Sequence, residues 1–121
     1  MKNTQPLTIL GIDPGYDRLG WGIGQFIGNK WQNLSYGCIE TPKKMELFDR
    51  YQLLQQELTA VIKKHKPGVV AIETLLFSKN KTTALKVSEA RGIIISTCLN
   101  AGLKIHEFNP MQIKLAAAGH G

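Results

Sequence analysis

The chain has 121 residues, 43% of them hydrophobic and 20% charged, which suits one globular domain and excludes an intrinsically disordered chain. Its net charge of +6 favours a polyanionic partner, nucleic acid ahead of an anionic membrane, although a basic balance that only aids solubility fits the charge equally well. The amino terminus has no long apolar run, and no apolar stretch reaches membrane-spanning length. These features predict a cytoplasmic protein without a membrane segment.

The two cysteines give no sign of a zinc site. Cys38 and Cys98 lie outside any CxxC or Cys/His cluster, and both have apolar neighbours. They are therefore predicted to be buried thiols in a reducing compartment.

The first forty residues predict a three-stranded antiparallel meander. Thr8–Asp13 is an apolar run that ends on a carboxylate, and a Pro-Gly pair turns the chain directly after it. Leu19–Ile27 is a glycine-rich strand whose small residues permit close backbone approach. The turn dipeptide Gly28-Asn29 then leads into a third strand, Trp31–Glu40.

The next segment predicts a helix followed by a strand. Apolar residues recur at helical spacing from Met45 to His65, and Pro67 ends the helix. Val69–Glu73 is a second apolar run that ends on an acid. A strand–helix–strand crossover predicts that this run pairs in parallel with Thr8–Asp13, which would bring both terminal carboxylates to the same edge of the sheet.

The remaining elements complete an α/β pattern. A second helix is predicted over Thr82–Asn100, with an apolar stripe too wide for one face. Such a helix is either central in the core or shared between the sheet and a partner subunit. A last strand over Leu103–Phe108 and a helix over Met111–Ala118 follow.

Asp13 and Glu73 are the first candidates for chemistry. Two carboxylates at adjacent strand ends can bind a hard divalent cation, and beside a basic surface they are the minimum for metal-assisted phosphodiester cleavage. In the alternative, Asp13 caps the following turn and Glu73 caps the second helix. The spacing of the two acids alone favours the capping roles.

A mixed apolar and basic segment follows Glu73. Leu76 and Phe77 precede Lys79 and Lys81, and an aromatic ring beside lysines can stack on a base while the ammonium groups bind phosphates. In the alternative, Phe77 belongs to the core and the lysines form a solvated face.

An ordered set of motifs runs from about residue 8 to the last residue. They are Leu10-Gly-Ile-Asp-Pro-Gly15, Gly20-Trp-Gly22, Gly37-Cys-Ile-Glu-Thr41, Ala71–Asn80, Glu89-Ala-Arg-Gly92, Gln112-Ile-Lys114 and the closing Gly-x-Gly. In this order they resemble the RuvC family of Holliday-junction resolvases, although actin-like ATPases share the first motif.

The resemblance implies an RNase H-like fold, in which helices flank a mixed five-stranded sheet composed of the meander and parallel strands. It also implies a homodimer on four-way junction DNA, with a branch-migration complex as a further partner. Two Mg²⁺ ions per active site, for which Mn²⁺ substitutes, would clamp the scissile phosphate and leave 5′-phosphate ends. No organic cofactor is expected.

The resemblance also assigns roles to residues. Asp13 and Glu73 match the first two of four metal-binding carboxylates, and the other two are expected on a helix after the Gly-x-Gly motif. Residues 1–121 are thus predicted to form a single nuclease domain that is incomplete at its carboxyl end.

The expected DNA contacts come from the same resemblance. Lys114 falls on a lysine that contacts DNA, and Lys79 and Lys81 lie where backbone contacts are expected. Leu76 replaces an aromatic residue of the family that stacks at the junction centre, and Phe77 is predicted to take over that role.

Three functions follow from these patterns. The preferred one is a structure-selective endonuclease that resolves Holliday junctions in recombination and repair. The second is an inactive junction-binding module of the same fold. The third, an actin-like ATPase, ranks low because the chain has no second phosphate-binding Asp-Gly motif.

Overall fold

A mixed five-stranded sheet and two helices make up the computed structural model, which describes residues 6–14, 17–74 and 81–108. The elements in chain order are β1 (Thr8–Asp13), β2 (Arg18–Ile27), β3 (Lys30–Glu40), α1 (Leu47–His65), β4 (Val69–Glu73), α2 (Lys81–Asn100) and β5 (Lys104–Phe108).

The strand order is β3-β2-β1-β4-β5. The β1–β2 and β2–β3 pairs are antiparallel, which confirms the predicted meander. Its hairpin turns at Gly28 and Asn29, whose positive φ angles of 57° and 65° are those that a tight two-residue turn requires. The β1–β4 and β4–β5 pairs are parallel, as the crossover argument predicted.

Side chains alternate between two different faces of the sheet. Leu10 and Ile12 of β1 and Val70 and Ile72 of β4 are buried on what we call the inner face. Both helices pack there, and their buried apolar side chains join those four in one core: Tyr51, Leu54, Leu58 and Ile62 from α1, and Ala90, Ile94 and Cys98 from α2.

The opposite, outer face carries the alternate residues of the same strands. On β1 these are Ile9, Gly11 and Asp13, and on β4 they are Val69, Ala71 and Glu73. Within the described ranges both helices contribute to the inner core, so neither of them covers the outer face.

The helices differ in two respects from their predictions. α1 begins at Leu47, after a turn in which the Met45 N–H donates to the Pro42 carbonyl at 3.1 Å. Of the two positions predicted for α2, the exposure of Leu85 and Leu99, at 66% and 58%, excludes a central core helix and leaves a helix shared between the sheet and a partner subunit as the prediction. The predicted helix over 111–118 lies outside the described residues.

The prediction for the cysteines is half right. Cys98 is fully buried, as predicted, but Cys38 is exposed. Cys38 lies opposite Gly20 on the edge strand β3, on the outer face, where local apolar neighbours do not imply burial.

Among the described helices, none is long and apolar enough to cross a membrane.

Candidate active site

Asp13 and Glu73 are the last residues of two adjacent parallel strands. The register pairs Ile12 with Ile72, so the two acids occupy the next row of the sheet. Because both follow buried inner-face residues, both lie on the outer face. Neighbouring strands are about 4.8 Å apart, so the two carboxylates project side by side from one edge.

The backbone on both sides of this row is paired. Asp13 pairs with Gly20 of β2. Beyond Glu73, the N–H of Thr74 donates to the carbonyl of Phe108 at 2.6 Å, so the β4–β5 pairing continues past the acid. Both carboxylates therefore project from backbone that the sheet holds on each side.

Of the two capping roles that the sequence left open, the one at Glu73 does not fit. Thr74, directly after Glu73, continues the pairing of β4 with β5, so Glu73 is not the N-cap of α2. Asp13 is exposed, and residues 15 and 16 of the turn that it would cap lie outside the described residues.

Small residues leave space beside the acids. Among the described residues, a Cβ added at Gly20 would make an ordinary contact with the Asp13 Cβ at 3.7 Å, and one added at Gly11 with the Gly22 carbonyl at 3.9 Å. The described part of the outer face is therefore low beside Asp13 and leaves room there for a phosphate backbone.

The donor set fits a hard cation. Mg²⁺ is commonly bound through one or two carboxylates, with phosphate oxygens and water completing its shell. Asp13 and Glu73 supply that pair. In the described part of the chain no group of three or more His, Cys, Asp or Glu side chains is arranged to hold a metal.

The predicted DNA contacts fall mostly outside the described residues. This applies to Leu76, Phe77, Lys79 and Lys114. Lys81 is described; it is exposed and is the first residue of α2.

One group beside the site is absent from the sequence predictions. Arg50 is 7% exposed and connects α1 to the loop that follows Asp13. The sequence feature that could have identified it is an arginine next to Tyr51 on the apolar stripe of α1, where burying an unpaired charge is costly.

The comparisons with known proteins agree with this geometry. Residues 9–121 match the family model described as crossover junction endodeoxyribonuclease RuvC. The RuvC protein of Halothermothrix orenii is 41% identical over 115 residues, which cover 95% of this chain and 70% of that protein. The RuvC protein of Finegoldia magna is 43% identical with the same coverage.

Solved structures support the same assignment. The Thermus thermophilus RuvC structure superposes with a TM-score of 0.80 at 29% identity, covering 94% of this chain and 70% of that one. T. thermophilus RuvC in complex with Holliday junction substrate also gives a TM-score of 0.80, at 26% identity, covering 91% and 69%. With the strand order, these matches confirm the predicted RNase H-like fold.

Proposed function

Because this chain belongs to the RuvC family of crossover junction endodeoxyribonucleases, we propose that it cleaves four-way DNA junctions with Asp13 and Glu73 as metal ligands. The supporting observation is the pair of outer-face carboxylates at one edge of the sheet. The described elements share one sheet and one core, which supports a single nuclease domain over residues 1–121.

The residues of this site act by binding and orientation. The family is metal-dependent, and Mg²⁺, replaceable by Mn²⁺, is the cation that two carboxylates with phosphate oxygens suit best. When bound, such a cation neutralises the scissile phosphate and stabilises the attacking and leaving oxygens of an in-line displacement. The proposed two-cation site requires carboxylates beyond these two.

The approach of DNA to this site depends on charge and space. Asp13 and Glu73 repel a phosphate electrostatically, and a cation held by these two carboxylates would offset that repulsion. The low surface at Gly11 and Gly20 leaves room for a DNA strand. The pairing of the β-strand ends fixes the direction of both carboxylates. Hydrolysis is expected to leave 5′-phosphate ends.

DNA binding is assigned to residues that follow Glu73. Lys79, Lys81 and Lys114 are proposed to contact phosphates, and Phe77, with Leu76 beside it, to stack at the junction centre. Most of these contacts are independent of sequence, so selectivity would come from the shape of the junction.

A homodimer through α2 would give the two cuts that resolution needs. Supporting this, α2 presents Leu85 and Leu99 to solvent, and a groove lined by Tyr51, Glu89 and Ile93 separates it from α1. The family further implies a cytoplasmic location and a branch-migration complex as partner.

The first experiment compares Asp13→Asn and Glu73→Gln with the wild type on a synthetic four-way junction. With Mg²⁺ we expect the wild type to produce paired nicks and the cleavage rate of each variant to fall at least ~100-fold. Replacing a residue that supports a metal ligand typically costs about 10–100-fold in activity, and replacing the ligand itself should cost more. A gel shift should show retained junction binding. Glu57→Gln, an exposed acid on α1, is the matched control.

The same experiment distinguishes the second candidate function. An inactive junction-binding module is favoured by the carboxylates, since Asp13 and Glu73 match two of the four that the family uses. Glu40, a further outer-face acid at this end of the sheet, lies 3.6 Å from the Arg18 side chain. Binding without nicking in either Mg²⁺ or Mn²⁺ would establish that candidate and exclude the enzyme. Full cleavage by Asp13→Asn would show that Asp13 is not a ligand.

A further inference from the structure

Arg50 is the centre of a polar group that we call the Arg50 cluster, made of the buried Arg50 and Thr41 and the partly exposed Asp17. The Arg50 Nε donates to the Thr41 Oγ1 at 3.0 Å, and its Nη2 forms an ion pair with the Asp17 carboxylate. The Thr41 backbone N–H donates to the Asp17 carbonyl at 3.2 Å. Arg50 and Thr41 are 7% and 6% exposed.

The cluster holds the residue that leads into β2. Asp17 directly precedes Arg18, the first residue of β2, and Gly20 of the same strand pairs with Asp13. The cluster attaches Asp17 to the start of α1 and to the end of β3. The part of β2 that pairs with Asp13 is thus held both by the sheet and, three residues before Gly20, by the cluster.

Stability alone does not require an arginine at this position. Removing an ion from water costs several kcal/mol, and a buried pair is often replaced by apolar residues of similar volume without loss of stability. The planar guanidinium adds orientation, because its N–H donors are rigidly arranged and hold two acceptors at fixed angles. A carboxylate that binds a metal needs such direction, since productive geometry tolerates deviations of only about 0.5 Å.

We propose that Arg50 is a positioning residue: through Asp17 and Thr41 it fixes the start of β2, whose Gly20 pairs with Asp13, and thereby aims the Asp13 carboxylate at the metal ion. This inference rests on the proposed function, in which Asp13 is a metal ligand. Arg50 itself touches neither metal nor DNA in this scheme.

Electrostatics alone predicts that replacing Arg50 strengthens cation binding, whereas positioning predicts that it weakens it. Removing a positive charge near Asp13 would raise the affinity of the site for a cation if charge were all that mattered. Losing the attachment of Asp17 lowers that affinity, because Asp13 then samples other directions. Changes in the support of a metal ligand typically cost about 10–100-fold in affinity.

The experiment measures Mn²⁺ binding to the full chain by electron paramagnetic resonance of the free aqua ion. We expect Arg50→Met to weaken Mn²⁺ binding by about tenfold. Arg50→Lys, which keeps the charge but loses the fork, should also weaken it, by a smaller factor. The matched control is Arg18→Met, because Arg18 is an arginine with its side chain 71% exposed in the same region, next to Glu40.

Two further measurements separate positioning from general damage. Thermal unfolding establishes that each variant is folded, and junction binding in EDTA should equal that of the wild type. Wild-type or tighter Mn²⁺ binding by folded Arg50→Met would overturn the proposal. If Arg50→Met does not fold, wild-type Mn²⁺ binding by Arg50→Lys overturns it instead.

The failure of the proposed function has a different signature. If Asp13→Asn binds Mn²⁺ as the wild type does, Asp13 is not a ligand and the proposed site is wrong. If Asp13→Asn loses Mn²⁺ while the Arg50 variants keep it, the site is right and only the role of Arg50 is wrong.

Discussion

At the scale of the single residue, burial decides how each of the two thiols behaves. Burial raises the pKa of the Cys98 thiol to about 11, from an ordinary value of 9.0, because the thiolate would be desolvated in the core. Cys38 is exposed on the edge strand β3, where the Arg18 Nε donates to its Sγ at 3.3 Å. Alkylating reagents should therefore modify Cys38 in the folded protein and spare Cys98.

The raised pKa of Cys98 predicts an alkaline loss of stability. Below pH 9 the thiol is neutral in the folded and unfolded chains, so it adds no pH dependence. Between about pH 9 and pH 11 only the unfolded thiol ionises, which lowers the free energy of unfolding by up to about 3 kcal/mol.

Denaturant titrations at pH 8 and pH 10.5 test this prediction. The stability advantage of the wild type over Cys98→Ala should shrink at the higher pH, because the variant has no thiol to ionise. Cys38→Ser should follow the wild type at both values. An advantage that stays constant would show that Cys98 does not titrate in this range.

At the scale of the element, one aromatic side chain of the meander packs against the end of α1. Trp21 lies on the inner face of β2, opposite Gly37 of β3, and its ring centroid is 5.4 Å from that of His65 at the end of α1. A Cβ at Gly37 would lie 2.7 Å from the Trp21 Cζ2, which is closer than real contacts allow. The absent side chain at residue 37 is what lets the indole lie flat on the sheet.

Gly37→Ala should therefore destabilise the protein by about 1–3 kcal/mol, the usual cost of overpacking. The ring of Trp21 must move, and its contact with His65 is lost with it. Gly22→Ala is the matched control on the neighbouring strand, since its Cβ would have a nearest contact of 3.9 Å. Equal melting temperatures for the two variants would contradict this account of the Trp21 packing.

The elements were predictable to the extent that local signals define them. The apolar runs that end at Asp13 and Glu73, and the turn at Gly28, sufficed for the meander and the parallel crossover. The start of α1 was misplaced because a local turn follows Pro42 before the helix begins at Leu47. Neither Arg50 nor the exposure of Cys38 was predictable, because each depends on which segments meet in three dimensions.

At the scale of the whole molecule, charge is distributed unevenly along the strands of the sheet. The end of β1 and β4 gathers five of the nine acidic residues: Asp13, Asp17, Glu40, Glu73 and Glu107. Three of these acids have arginine partners, since Asp17 pairs with Arg50, Glu40 with Arg18 and Glu107 with Arg91. The opposite end carries exposed lysines at the hairpin, at the end of α1 and at the start of β5: Lys30, Lys63, Lys64, Lys66 and Lys104. The net charge of +6 therefore does not describe the row of Asp13 and Glu73, which is itself acidic.

The acidic row of Asp13 and Glu73 predicts how junction binding changes when the Asp13 carboxylate is neutralised. In EDTA, Asp13→Asn should bind a four-way junction about two- to fivefold more tightly than the wild type, since one like-charge repulsion of about 1 kcal/mol or less is removed. Glu57→Gln, remote from the edge, should bind as the wild type does. Weaker binding by Asp13→Asn in EDTA would show that the DNA backbone does not pass this edge.

The pairing of Ile12 with Ile72 means that the hydrophobic pattern of the two strands places Asp13 and Glu73, the proposed metal ligands, side by side. Successive residues of a strand point to opposite faces, so inserting or deleting one residue ahead of either acid would turn its carboxylate into the core. Loops at this edge can vary in length without that effect. Insertions and deletions among related sequences are therefore expected in the connecting loops rather than within the strands.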